Sequence, residues 1–446
     1  MARQILEIIN ENPVNPVKLH ELTAKMNTVD IADAFELLDG EKIVQIFRLL
    51  PKDLAADVFS YITLEKQKVI VETLTDTEVG KIVDDLFVDD AVDLIEEMPA
   101  NVVKRILQNV SEDKRRIINQ LLQYPEDSAG SNMTVEYVAL REDATVREAF
   151  DAIRATGVDK ETIYTCYVLR RDKMLVGVVT AKKLMLSAPY ERVGDIMDRN
   201  PVFAHTTDDQ EMIAGLFKKY GFLSVPVVDR EQRLVGIVTV DDIIQVIEEE
   251  HTEDIEQMAA LSPSEEPYLQ TTIVKLAMNR IPWLLVLMLS ATVTGSIITR
   301  FEDSLAVLPV LVAFIPMLMD TGGNAGAQVS TLIIRGMALG EIRLGDFAKI
   351  VWREVRVGMI CGAVLGAVNF VRVYLMNDRN AMLALTVTFA LLMTVIVAKT
   401  VGCLFPIIAK KLKVDPAVVV SPFITTFVDA VSLIVFFSIA RAVLHI

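Results

Sequence analysis

Little in this 446-residue chain suits redox, disulfide or histidine chemistry. Its three cysteines, Cys166, Cys361 and Cys403, lie too far apart for a metal-ligand spacing or a disulfide framework, as befits a reducing compartment. Four histidines supply no HExxH, and neither GxSxG nor the phosphate-cradling GxxxxGK[ST] occurs. A metallohydrolase, a serine esterase and a P-loop pump are thereby excluded, and the chain is expected not to be an enzyme. The opening stretch MARQILEIINENP has no apolar h-region and carries Glu7 and Glu11. That argues against a cleaved signal peptide and for a cytoplasmic first half.

Positive charge is also in short supply, and unevenly so. Lys and Arg number 44 against 60 Asp and Glu, a net charge of −16. Residues 1–127 hold 14 basic against 25 acidic side chains, residues 128–270 hold 15 against 26, and residues 271–446 hold 15 against 9. A length of 446 residues suggests two or three units, and this split divides them into an acidic soluble part and an apolar, mildly basic one. Nucleic acid is a poor partner for such a surface, because neutralising phosphates needs clustered Lys and Arg. Cations are a natural partner, although acidic helices also serve simply to keep a domain soluble.

Long apolar runs are what the second part has instead. Residues 281–299 (IPWLLVLMLSATVTGSIIT) carry no charge between Arg280 and Arg300. About 20 such residues cross a ~30 Å hydrocarbon core. Four more runs follow: Leu305–Met319 continuing after a Gly-rich break into Val329–Ile334, then Val357–Met376, Ala381–Ala398 and Ala417–Ala440. Five spans in a lipid bilayer are expected. Arg335, Arg343, Lys349, Arg353 and Arg356 fall between the second and third, and Lys410, Lys411 and Lys413 between the fourth and fifth. Positive loops stay inside, so the N-terminus is expected in the cytoplasm and the C-terminus, with His445, outside a cell (inner) membrane.

The soluble part contains a repeat. LVGVVTAKKL (175–184) returns as LVGIVTVDDI (234–243), each after an apolar strand-like run and after helix-like segments at Val146–Ala155 and Gln210–Lys219. A duplicated βαββα unit of this length resembles a tandem cystathionine-β-synthase (CBS) domain pair, a module that often binds adenosine nucleotides. In such pairs a Thr/Ser-x-x-Asp offers its carboxylate to ribose. Thr239 and Asp242 keep that pattern, whereas Thr180 is followed by Lys183. The resemblance implies at most one competent site for ATP or another adenosine nucleotide, and a purely structural pair is equally compatible with the residues. Before it, residues 1–127 read as a stack of short helices, with Pro51, Asp76 and Ser111 at turn points. Acids crowd into Asp84, Asp85, Asp89, Asp90, Asp93, Glu96 and Glu97, and again into Glu248, Glu249, Glu250, Glu253 and Asp254. Like charges at helical spacing destabilise a helix unless neutralised, which divalent ions do through oxygen ligands and retained waters.

Two features mark the membrane part. Pro316-Met317-Leu318-Met319-Asp320-Thr321-Gly322-Gly323-Asn324-Ala325-Gly326-Ala327-Gln328 stands at the cytoplasmic end of the second span. Glycines and amides there either break the helix and expose carbonyls to a water path, or form a small-residue packing seam. Asp429 stands mid-way in the last run, with Thr425 and Thr426 one turn away. A central carboxylate costs ~2.5–3.5 kcal/mol on insertion scales, so it should face a pore or a partner helix.

Together the GGNxGxQ stretch, the mid-span Asp, the CBS pair and the acidic helical N-domain resemble the MgtE family of magnesium channels, over essentially the whole chain and in the same order. The resemblance implies an all-α N-domain (1–127), an α/β tandem CBS pair (128–250), a connecting plug helix region (241–279) and a five-helix transmembrane domain (280–446). It implies a homodimer with a pore between the second and fifth spans, lined by Asp320, Gly322, Gly323, Asn324, Gln328, Thr425 and Thr426. The pore carboxylate that would hold hydrated Mg2+ falls on Asp429. The cytoplasmic magnesium-sensing acids fall on Asp57, Asp89, Glu211, Asp242, Glu250, Glu253 and Asp254. Gln245 replaces one ligand-like acid and Ala327 a pore-loop Asn, which bears on the number of sensor ions. Influx of Mg2+, with Mn2+ and Co2+ as further candidates, would run down the electrochemical gradient and be closed by cytoplasmic Mg2+. A coupled transporter using Asp429 as a proton site, a CBS-regulated membrane enzyme and a non-conducting sensor are the competing readings.

Overall fold

The computed structural model describes Ile5 and residues 15–38, 40–264, 268–269 and 271–445. The opening stretch with Glu7 and Glu11 lies outside the described residues. The chain divides into two compact units, Met1–Ile247 and Glu248–Ile446.

The first unit opens with short helices: α1 (Pro16–Thr23), α2 (Thr28–Glu36), α3 (Gly40–Phe47), α4 (Lys52–Ser60), α5 (Leu64–Thr73), α6 (Asp76–Asp85), α7 (Val88–Glu96), α8 (Ala100–Asn109) and α9 (Glu112–Leu121). None is long enough to be stable alone, so each depends on packing its apolar stripe. Helices two apart in the chain pack on each other, α2 on α4, α4 on α6, α6 on α8 and α7 on α9. The result is a superhelical stack around Phe35, Phe47, Val58, Phe59, Val83, Leu94 and Ile106. Gly80 permits the closest of these approaches, because a Cβ there would run into the backbone carbonyl of Asn109 on α8. The caps differ in part from expectation. Thr75, not Asp76, caps α6, in a capping box with Glu78, while Pro51 and Ser111 hold N-cap positions without a side-chain bond.

The repeat forms two matching sheets. In the first, β1 (Tyr137–Arg141) runs parallel to β2 (Thr162–Leu169), and β2 pairs antiparallel with β3 (Leu175–Thr180). The helix α10 (Val146–Thr156) links β1 to β2, and α11 (Ala181–Leu186) and α12 (Val193–Ile196) follow β3. The second sheet repeats the pattern with β4 (Ala204–His205), α13 (Gln210–Tyr220), β5 (Ser224–Val228), β6 (Leu234–Thr239) and α14 (Val240–Met258). A buried hydrogen bond of 2.7 Å between the Tyr167 hydroxyl and Ser224 Oγ ties the two sheets together. The core of the helical stack is continuous with Ile213, Phe217, Val225, Val238 and Ile243 of the second repeat.

Among the described residues, the second unit holds five helices long and apolar enough to cross a membrane. These are α15 (Ile273–Arg300), α17 (Ile315–Ala338) preceded by a tight turn over Pro309–Phe314, α18 (Phe347–Met376), α19 (Ala381–Lys411) and α20 (Pro416–Leu444). A short α16 (Glu302–Val307) joins the first two. The second span therefore starts later than its first apolar run, and the third begins ten residues before Val357, taking Arg353 and Arg356 into its first turns. The expected break at the glycines is not found: α17 runs unbroken from Ile315 to Ala338. The packing seam is what the glycines serve. A Cβ on Gly322 would lie 2.8 Å from Val428 and 3.0 Å from Thr394, and one on Gly326 would lie 2.8 Å from Ile424. Gly402 of α19 meets the Gly326 backbone in the same way. Small residues at these three places let α17 meet the backbone of α19 and the side chains of α20 at close range.

Candidate ion sites

In the first unit, the acids of the helical stack meet those of the repeat. Asp89 and Asp90 lie in the first turn of α7, with Asp89 only 9% exposed, and Asp57 lies on α4. Asp241 and Asp242 lie in the first turn of α14, where helix N-termini favour negative charge. The Thr239 hydroxyl is 2.5 Å from Asp241 Oδ1 and 2.6 Å from Asp242 Oδ2. Glu161, just ahead of β2, joins the same group. Burial and the neighbouring carboxylates act together on these acids. Burial, then the Asp242 charge, pushes Asp90 up to about 7 and Glu161 up to about 8. Asp89 is raised well above the carboxylate range, by burial first and Asp242 second. Asp242 is itself raised by burial, against the pull of its Thr239 hydrogen bond. This is the signature of same-sign groups buried close together, and the Lys114 charge opposes it only in part at Asp90.

Of the expected sensor acids, Asp89 and Asp242 act on one another, and Asp57 acts on Asp90 of the same group. Glu211 is exposed at the start of α13, capped by Asp209, with no described contact to that group. Glu250, Glu253 and Asp254 lie on the later turns of α14, which belong to the second unit, and Glu253 accepts a hydrogen bond from Gln257. Asp90, Asp241 and Glu161 had no assigned role in the sequence. The first two adjoin assigned acids, but Glu161 is delivered by a connection between α10 and β2 and carries no periodic signal. Among the described residues, no three His, Cys, Asp or Glu side chains converge closely enough to cage an ion.

In the second unit, Asp320, Asn324 and Gln328 recur every fourth residue on one exposed face of α17. Asn324 Nδ2 donates to Asp320 Oδ1 at 3.1 Å. Gly322 and Gly323 are buried, Gly322 against Val428 and Gly323 against Thr425, where they allow α17 and α20 to approach closely. Asp429 follows Val428 on α20 and is half-buried, like Thr425 and Thr426. Polar groups on an exposed face at membrane depth require water or a protein partner.

Comparison with known proteins agrees with this layout. Family models for the MgtE intracellular N domain, the CBS domain and a divalent cation transporter match residues 26–127, 131–188 with 193–249, and 315–439 respectively. The magnesium transporter MgtE of Thermus thermophilus is 36% identical over 431 residues, 96% of this chain and 95% of that protein. That of Bacillus subtilis is 34% identical, covering 93% and 94%. Among solved structures, the cytosolic domain of the Mg2+ channel MgtE in complex with ATP matches 55% of this chain and 100% of its own, at 36% identity and a TM-score of 0.52. The soluble part of a magnesium transporter matches 56% and 97%, at 29% identity and a TM-score of 0.53. The chain thus belongs to the MgtE family of magnesium transporters.

Proposed function

We propose that this protein is a magnesium channel that admits Mg2+ down its electrochemical gradient and closes when cytoplasmic Mg2+ binds its acidic first unit. The observation that carries the reading is a half-buried carboxylate, Asp429, on a membrane-length helix that packs through Val428 against Gly322 of α17, the helix whose exposed face carries Asp320, Asn324 and Gln328. The pore runs between α17 and α20 of two subunits in a homodimer, with Asp320, Asn324, Gln328, Thr425 and Thr426 along it. Paired Asp429 carboxylates hold a hydrated ion electrostatically, since Mg2+ sheds water reluctantly. The N-terminus is cytoplasmic and the C-terminus outside, in the cell membrane. Membrane potential supplies ~2.3 kcal/mol per charge per 100 mV, which suffices to draw in a divalent ion without a pump.

Gating uses Asp57, Asp89 and Asp242 with Glu211, Glu250, Glu253 and Asp254. Ions bridging these acids stabilise the closed arrangement, and their loss lets the carboxylates repel. Binding energy at the sensor becomes closing energy at the pore by linkage. The Thr239–Asp242 pair offers an adenosine nucleotide such as ATP a ribose-binding carboxylate, supported by the relative whose cytosolic domain was solved with ATP. Mn2+ and Co2+ fit the same oxygen chemistry. The test is uptake of Mg2+ into proteoliposomes under an imposed potential at fixed pH. Voltage-driven uptake abolished in Asp429→Ala supports the channel, and uptake that follows a proton gradient at fixed voltage would instead establish a coupled transporter.

A further inference from the structure

Lys114 is a cation in an unusual place. It occupies the third position of α9, in the first turn, where the helix dipole disfavours positive charge. It is half-buried, and burial draws its ammonium below the usual lysine range. Two disfavouring influences on one side chain call for compensation, and its surroundings supply it. The ammonium crosses to α6 and donates to the carbonyl of Leu86, at the favourable C-terminal end of that helix. There it faces Glu136, Asp84, Asp89 and Asp90. Glu136 stands at the entry to the first repeat, fixed by Thr134 Oγ1 at 2.6 Å, whereas Asp84, Asp89 and Asp90 belong to the helical stack. Lys114 therefore interacts with acids on both sides of the junction.

We propose that Lys114 is a resident counter-cation of this junction: it partly neutralises the acids when no divalent ion is present, and so limits how strongly Mg2+ drives the stack onto the repeat. The inference rests on the reading of this junction as the magnesium sensor. Mg2+ arriving among the acids meets the fixed ammonium, and its gain on docking is smaller than the acids alone would give. Lys114 sets the sensor's gain, not its ligands.

Two variants of the full-length protein separate the charge from the hydrogen bond. K114Q keeps an N–H donor for Leu86 and removes the charge, and K114R keeps both. The readout is the rate of proteolytic cleavage in the connection between α9 and β1, without Mg2+ and at saturating Mg2+. In K114Q the ion-free protein should be cut faster, and the protection conferred by Mg2+ should grow, roughly tenfold for a unit charge close to a divalent ion. K114R should move both quantities back towards wild type. An unaltered Mg2+ protection ratio in K114Q, while Asp89→Ala with Asp242→Ala collapses the ratio, would overturn the role of Lys114 and leave the sensor intact. A ratio unmoved by any of these variants would overturn the sensor reading itself.

Discussion

Protons should be able to neutralise acids of the junction that Lys114 leaves only partly compensated. Asp90 is pushed up to about 7 from an ordinary value of 3.8, by burial and then by Asp242. A folded-state value raised above the unfolded one means the folded junction binds more protons. Its contribution is complete below the unfolded value and is lost as pH rises through about 7, with Glu161 extending the window to about 8. Three units at ~1.36 kcal/mol each set an upper bound near ~4 kcal/mol for Asp90. Water reaching this half-buried group reduces that to roughly 1–2 kcal/mol, about a tenfold change in docking. The assay is the hydrogen-exchange protection of α7 in Mg2+-free protein between pH 6 and pH 8.5. Protection should fall as pH rises, Asp90→Asn should flatten the fall, and Mg2+ at pH 8.5 should restore what alkali removed. Protection independent of pH in Mg2+-free wild type would refute the electrostatic account of this junction.

Further expectations concern single side chains. Asp89→Ala together with Asp242→Ala should raise the cytoplasmic Mg2+ needed to halt flux, since the acids that bridge through the ion are gone; closure at the wild-type concentration would sink their assignment. Gly322→Val puts branched methyls where a Cβ already meets Val428 at 2.8 Å and Thr394 at 3.0 Å. Overpacking of this kind costs ~1–3 kcal/mol, so thermal unfolding in detergent should shift down and flux should drop with it. Thr239→Val should weaken ATP binding in calorimetry by releasing the Asp242 carboxylate from its 2.6 Å partner; unchanged affinity would place the nucleotide elsewhere.

The architecture was largely legible because its signals are periodic. Uncharged runs report membrane spans, the Val-Gly-rich repeat reports two copies of one sheet, and apolar residues at helical spacing between turn points report the stack. What the sequence hid was the use of its glycines. At Gly322 and Gly326 the same residues permit a broken helix or a tight crossing, and only the neighbours Val428, Ile424 and Gly402, distant in the chain, decide for the crossing. The acidic junction was half visible. Asp89 and Asp242 were marked by the family resemblance, but their meeting depends on how the first turn of α7 sits against the first turn of α14. Glu161 and Lys114 enter through that docking alone, and no local pattern distinguishes them from other surface charges.

The most direct test is single-channel recording from the purified protein in planar bilayers, with Mg2+ titrated on the cytoplasmic face. Discrete Mg2+ currents that disappear as cytoplasmic Mg2+ rises into the millimolar range, and that are absent in Asp429→Ala, are the predicted result. Folded protein that carries no current at any Mg2+ level, or Asp429→Ala that conducts as the wild type does, would contradict the channel.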